Sequence, residues 1–121
     1  MTVETDFRAL LAAHAPLTAL VSTRIVQDVA DEGAPVPLVI FGAVHDRAFG
    51  LDNLLMYDHV TLAVQCWGAT GASASAVADA VVAAIATAPA ARGAHVTDRS
   101  TTFDAETGLD GVLLTCEWWQ T

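Results

Sequence analysis

Residues 57–67 alternate between two sets of side chains, and this feature restricts the fold more than any other. Val60, Leu62, Val64 and Cys66 would share one face of an extended chain, and the residues between them would share the other. A period of two residues is typical of a β-strand that has one face in a core. The chain is therefore expected to contain a sheet with one well-buried face.

The segment before this strand, residues 36–45, is apolar at almost every position. Continuous apolarity in a strand indicates that both of its faces are buried. Residues 47–56 between the two strands are expected to form a long hairpin connection, and they are unusually apolar for a loop. Because exposed apolar clusters of this size usually mark a contact site, we predict subunit or partner contacts at Phe49, Leu51, Leu54, Leu55 and Met56.

The N-terminal segment has the apolar spacing of a helix over residues 6–15. Thr5 is the expected N-cap, and Pro16 is expected to end the helix because its ring clashes with the preceding turn. Residues 17–21 are expected to add one short turn.

A second helix is predicted over residues 74–88, capped by Ser73 or Ser75. Apart from its core stripe, this helix is rich in alanine, which allows a neighbouring backbone to approach closely. This surface adds three predicted contact residues, Ala76, Ala80 and Ala83.

Three further strands are predicted over residues 24–29, 93–103 and 109–120, and a turn at 104–108 joins the last two. The order is therefore helix, three strands, helix, two strands. Short connections favour antiparallel neighbours. We predict an α+β fold with a single domain over residues 1–121, in which two helices pack on one face of a mostly antiparallel sheet.

Adjacent residues of a strand point to opposite faces, so the pair Trp118 and Trp119 should divide between the core and the outside. Trp118 falls on the apolar side of its strand. Aromatic side chains are enriched at the centres of interfaces. We therefore add Trp119, and Trp67 on the more polar side of its own strand, to the predicted contact residues.

The charge of the chain excludes several classes of function. The formal net charge is −9, the five basic residues are all arginine, and the isoelectric point is near 4.4. Such a chain lacks the basic footprint of a nucleic-acid binder or of a protein that binds anionic membranes. Charged residues make up only 16%, below the roughly 25% of an ordinary soluble domain, which indicates that some of the surface is normally covered.

Neither a metal site nor a catalytic centre is predicted. The four histidines, at positions 14, 45, 59 and 95, lack the short paired spacing of zinc ligands. Cys66 and Cys116 form no CxxC motif and fall on predicted core faces, where they are expected to be reduced thiols and could be cross-strand neighbours. No glycine-rich phosphate loop is present, and no cofactor is expected.

The order and spacing of several structural landmarks resemble a known family. The landmarks are Thr23-Arg24-Ile25, Pro37 to Phe41, Val60 to Gly68 followed by the serine- and alanine-rich helix, and Phe103 to Leu109 before a strand that ends in two tryptophans. Together they resemble the small tail completion or tail terminator proteins of long-tailed phages and gene transfer agents. One departure is the pair Gly42-Ala43, where an aromatic residue is common.

This resemblance implies a structural role at the head–tail junction of a virion or virus-like particle that is assembled in the bacterial cytoplasm. Such proteins form rings, typically hexameric, which stop growth of the tail tube and offer a surface to the head connector or stopper protein. DNA passes through the lumen without specific binding, and the expected role involves neither catalysis nor a membrane. Acids facing the lumen would repel the phosphate backbone, and we predict Asp52 and Asp58 for this position. A phage, a gene transfer agent and a tail-like bacteriocin all remain open.

Two other functions compete with the ring. One is a small dimeric α+β module that binds an apolar ligand between its helices and its sheet. The other is a cofactor-free enzyme that uses Asp58 and His59. Adjacent strand residues lie on opposite faces, which argues against that dyad.

Overall fold

Five strands form one sheet in a computed structural model of the chain, which describes residues 3–28, 35–49 and 55–120, with side chains except at 47–49, 55–57 and 120. The order across the sheet is β1-β2-β3-β5-β4. β1 pairs with β2 in parallel, and the other neighbours are antiparallel. The strands are β1 (Ile25–Gln27), β2 (Leu38–Phe49), β3 (Leu55–Gly68), β4 (His95–Asp104) and β5 (Leu109–Gln120).

Three α-helices pack on one face of this sheet: α1 (Val3–Ala12), α2 (Ala15–Val21) and α3 (Gly71–Ala86). A short 3-10 turn, Ala90–Arg92, precedes β4. The α+β class and the arrangement of helices on one face are confirmed, with residues 15–21 forming a helix of their own. No helix in the described ranges is long and apolar enough to cross a membrane.

Two of the predicted helix ends are wrong. Thr5 lies inside α1, and Pro16 lies in the first turn of α2, where proline is tolerated because the N–H that it lacks would have no helical partner.

The start of α3 also differs from the prediction. The hydroxyl oxygen of Thr70 accepts a hydrogen bond from the Ser73 backbone N–H at 3.1 Å. The cap is therefore Thr70, and the helix begins before either predicted serine cap, Ser73 or Ser75.

The core lies between the helices and the facing side of the sheet. Val60, Leu62, Val64 and Cys66 are buried there, as the alternation predicted, and so is the matching set on β5 from Val112 to Trp118. From α1, the Phe7 ring meets both Phe41 and Trp118 edge-on, with ring centroids 5.3 Å and 6.0 Å apart. Complete burial of one such side chain contributes roughly 1.5–3 kcal/mol, and α1 is anchored by Phe7 together with the buried Val3 and Leu11.

The prediction that β2 is buried on both faces holds near its start and is wrong farther along the strand. Val39 and Phe41 face the helices and are buried. On the opposite face Leu38 is buried beside Trp67, whereas Val44 is 71% exposed. The helices cover only one side of the sheet, so they leave Val44 uncovered. A Cβ at Gly42 would lie 3.1 Å from Oδ1 of Asp28, a close contact with the end of a side chain.

The connection between β2 and β3 is shorter than predicted, because β2 continues to Phe49 and β3 begins at Leu55. The side chains of Phe49, Leu55 and Met56 lie outside the described part of the chain. So do residues 50–54, which include the predicted contacts Leu51 and Leu54 and the predicted lumen acid Asp52.

The two cysteines are buried on the same side of the sheet but are not opposite each other. Cys66 pairs in register with Val112, and Cys116 with Leu62, so the prediction of cross-strand neighbours is wrong. Both thiols are free. Burial raises the pKa of Cys66 to about 12 and that of Cys116 to about 11. At neutral pH both side chains therefore behave as small apolar core residues.

Candidate partner interface

The side of the sheet that faces away from the helices is the strongest candidate for a binding surface. We call it the open face. Its apolar members are exposed to very different degrees, and three stand out: Val44 at 71%, Leu113 at 38% and Trp119 at 37% exposure. The open face is formed by Ile40, Gly42, Val44, Asp46, His59, Thr61, Ala63, Gln65, Trp67, Leu113, Thr115, Glu117 and Trp119.

Trp119 is held rigidly at one end of the open face. The His59 ring stacks on it, with ring centroids 4.2 Å apart and an angle of 21° between the planes. Gly93 also lies close to the ring, with φ of +54°, and a Cβ there would lie 3.0 Å from Cδ1 of Trp119. Glycine is favoured at this position both by its backbone angle and by the space available. The result is a fixed aromatic surface that is partly open to solvent.

Glu117 lies two residues before Trp119 on the same face, between two histidines. Its carboxylate oxygens are 3.6 Å from Nε2 of His59 and 3.3 Å from Nε2 of His95. His95 donates its Nδ1–H to the Gly93 carbonyl at 2.7 Å. In neutral His95, Nε2 would therefore carry a lone pair, and it can donate to Glu117 only as an imidazolium.

The opposite end of the open face carries the second tryptophan. The Trp67 ring lies over Gly111, where an added Cβ would be 2.8 Å from the ring. Its Nε1–H donates to Oε1 of Gln65 at 3.1 Å. The open face is thus bounded by an aromatic ring at each end, Trp67 and Trp119, both predicted as contact residues. Trp118 is only 2% exposed and belongs to the core, so the predicted division of the tryptophan pair is confirmed.

The predicted contacts on α3 divide between surface and core. Ala76 and Ala83 are exposed. Ala80 is 9% exposed and is part of the hydrophobic core, so its side chain is not available to a partner and the prediction is wrong there.

The predicted lumen acid Asp58 is also misplaced. It is 5% exposed and lies on the helix-facing side of β3, in the same row as Val60. It hydrogen-bonds to Nδ1 of His45, and Nε2 of His45 is 2.8 Å from Oε1 of Glu4 on α1. We call this cluster of Glu4, His45 and Asp58 the histidine staple, because it ties α1 to two strands.

Both hydrogen bonds of the histidine staple can form only when the His45 ring is protonated. Both ring nitrogens of His45 face carboxylate oxygens, and only an imidazolium can donate from both. The hydrogen bond to Glu4, followed by that to Asp58, raises the pKa of His45 above its usual 6.5. Sequence reasoning missed this cluster. The one available signal was an acid, Asp58, in the first position of an otherwise apolar row.

The structure brings together no catalytic pair from the predicted alternatives. Asp58 faces the helices and His59 lies on the open face, so the two side chains of the proposed dyad point apart. Within the described ranges, no three histidine, cysteine or acidic side chains are placed to hold a metal ion.

The family model for tail completion protein gp17 matches residues 5–121. The chain belongs to this family. Its fold is also similar to a chain from a structure described as the virion of a native gene transfer agent particle, with a TM-score of 0.68 at 19% sequence identity. That match covers 98% of this chain and 93% of the other. No curated protein matches the sequence at the level taken as significant.

Membership of the gp17 tail completion family makes the chain a structural component of a viral tail, located in the virion, as the landmarks predicted. A structural component of a tail functions by contacting other protein subunits, and the open face is the surface of this chain best suited to such a contact.

Proposed function

We propose that this tail completion protein forms a closed ring of identical subunits, hexameric as in the family that its sequence resembles. The ring ends the tail tube, joins it to the head connector or stopper, and lets DNA pass through its lumen. The observation that carries the proposal is the open face, which presents Val44, Leu113 and Trp119 to solvent in a chain of the tail completion family.

Ring closure requires two different patches on each subunit, because a head-to-tail contact joins one surface to another. The open face offers one patch. The outer surface of the helices offers a second on the opposite side of the sheet, where Ala76 and Ala83 of α3 are exposed. Small side chains allow a neighbouring sheet to approach the helix closely. The two patches therefore supply the unlike surfaces that a closed ring needs.

A lumen formed by such subunits would be acidic, because each chain carries a formal net charge of −9. Like charges repel a phosphate backbone, which favours passage of DNA over adhesion. Since Asp58 is buried, exposed acids outside the open face are better candidates for this effect. We propose no catalytic role, in keeping with a family of structural virion components.

The experiment compares the native mass of purified protein, and of tails assembled with it, for two matched glutamate variants. Leu113→Glu places a charge in the middle of the open face, and burying it in a contact is costly. Ala105→Glu adds the same charge in the exposed β4–β5 turn. We expect closed rings from the wild type and Ala105→Glu, and monomers or incomplete rings from Leu113→Glu. Thermal melting of both variants checks that each still folds.

The alternative dimeric module predicts a different result. A wild-type protein that stays dimeric at every concentration, both alone and in the presence of tail tubes, would favour that alternative and overturn the ring.

A further inference from the structure

The arginines of this chain are few, and two of the four whose side chains are described have partners within their own subunit. Arg24 donates to the Pro37 carbonyl at 2.8 Å and to the Leu20 carbonyl at 3.3 Å. Arg99 pairs with Asp79 at 2.8 Å. Arg8 and Arg92 make no hydrogen bond or ion pair with any residue in the described ranges, and of the two Arg8, on α1, is the more exposed.

Glu117 and Trp119 form a corner of the open face that fits a guanidinium group. The two nearest nitrogens to the Glu117 carboxylate, at 3.3 Å and 3.6 Å, are farther away than the roughly 2.7–2.9 Å of a charge-assisted hydrogen bond. The carboxylate can therefore accept further donors. The Trp119 ring beside it is fixed by His59 and Gly93 and partly exposed. A planar arginine head group can bind a carboxylate in two places and also stack on an aromatic ring.

Arg8 and this corner lie on opposite faces of the sheet. Arg8 borders a shallow surface groove with Gln27 of β1, at one edge of the sheet and on the helix side. Glu117 pairs in register with His95 of β4, at the other edge and on the open face. Arg92 lies next to Gly93, close to Trp119. It is therefore part of the surface that contains Glu117, and it is not a candidate for the arginine that a neighbouring copy would bring from its opposite surface.

We propose that neighbouring copies of this chain are joined by an ion pair between Arg8 of one copy and Glu117 of the next, with the guanidinium stacked on Trp119. This inference rests on the proposed ring. Two copies that each carry a charge of −9 repel each other at long range. A contact that places an arginine against an acid offsets this repulsion locally and selects the head-to-tail orientation. The occupant of the corner is thus a second copy of the chain.

Charge reversal tests the pair. Arg8→Glu and Glu117→Arg should each weaken subunit association about tenfold or more, and the double variant should recover most of the loss because the pair re-forms with the charges exchanged. Glu106→Arg in the β4–β5 turn is the matched control, since it makes the same change of charge away from both faces. Failure of the double variant to recover any association, with each single variant correctly folded by circular dichroism, would overturn the pair.

Chemical cross-linking in assembled tails provides a second measurement. A chain carrying both Arg8→Cys and Glu117→Cys, treated with a bis-maleimide long enough to span the ion pair that the two cysteines replace, should form linked oligomers up to the full ring on a denaturing gel, because the two positions face each other between copies. The native cysteines are buried and free, and Arg8→Cys with Glu106→Cys is the control. Wild-type rings without cross-linking of the tested pair would overturn this inference and leave the ring intact. Absence of wild-type rings by native mass would overturn the proposed function itself.

Discussion

The two faces of the same sheet are built from the same strands but have different chemistry. The helix side carries an apolar row on each long strand, sealed by Phe7, and it encloses its polar groups in the histidine staple. The open face mixes exposed Val44 and Leu113 with tryptophans held at its two ends. The difference indicates that the helix side is completed within the subunit, whereas the open face is suited to completion by another subunit.

Truncation of the two adjacent tryptophans should separate the faces most clearly. Trp118→Ala removes a fully buried ring and should lower the free energy of unfolding by roughly 3–5 kcal/mol. Trp119→Ala removes a ring that is 37% exposed and stacked on His59, and it should cost less, about 1–2 kcal/mol. Urea denaturation of the isolated subunit measures both values. Equal losses would mean that the open face is as much a part of the core as the helix side.

Enlargement of alanines on α3 tests the same difference within one helix. Ala80→Leu inserts volume into the packed core and should cost about 1–3 kcal/mol. Ala83→Leu is on the outer surface and should change stability by less than about 0.5 kcal/mol, while it impairs ring assembly by holding the neighbouring sheet away. Thermal melting and native mass spectrometry report the two effects. Normal assembly of Ala83→Leu would remove that residue from the proposed contact.

The contribution of His45 to stability should depend on pH. This contribution is fully present below pH 6.5 and is lost as the pH rises through the raised pKa that Glu4 and Asp58 give it. His45→Gln should therefore cost about 1 kcal/mol at pH 5.5 and less at pH 8.5. His59→Gln on the open face serves as the comparison. Chemical denaturation across this pH range is the measurement, and an unchanged pH profile for His45→Gln would contradict the histidine staple.

Local pattern was sufficient to predict the parts of the fold that repeat along the chain. The row from Val60 to Cys66 recurs on β5, and a two-residue period records which side of a strand is buried. The landmarks also predicted the tail completion family. An apolar residue type does not reveal which element of the structure covers that residue, however. Val44 was expected to be buried, but the helices of its own subunit lie on the other side of the sheet.

The errors at the candidate site have a related cause. Asp58 looked like a surface acid because its partners are distant in sequence: His45 is on another strand, and Glu4 is 41 residues before His45. The N-cap of α3 is Thr70 and not one of the later serines. Threonine and serine are both good N-cap residues, so residue type alone did not distinguish between them. Contacts between copies of the chain are harder still to predict from sequence, since Arg8 and Glu117 belong to no shared local pattern.

Electron cryomicroscopy of the tail end with this protein assembled on it tests the central claim most directly. The account predicts a closed ring in which the open face of each subunit, including Leu113 and Trp119, packs against the helix side of its neighbour. A ring whose open faces all point to solvent, or a tail end carrying isolated subunits, would contradict it.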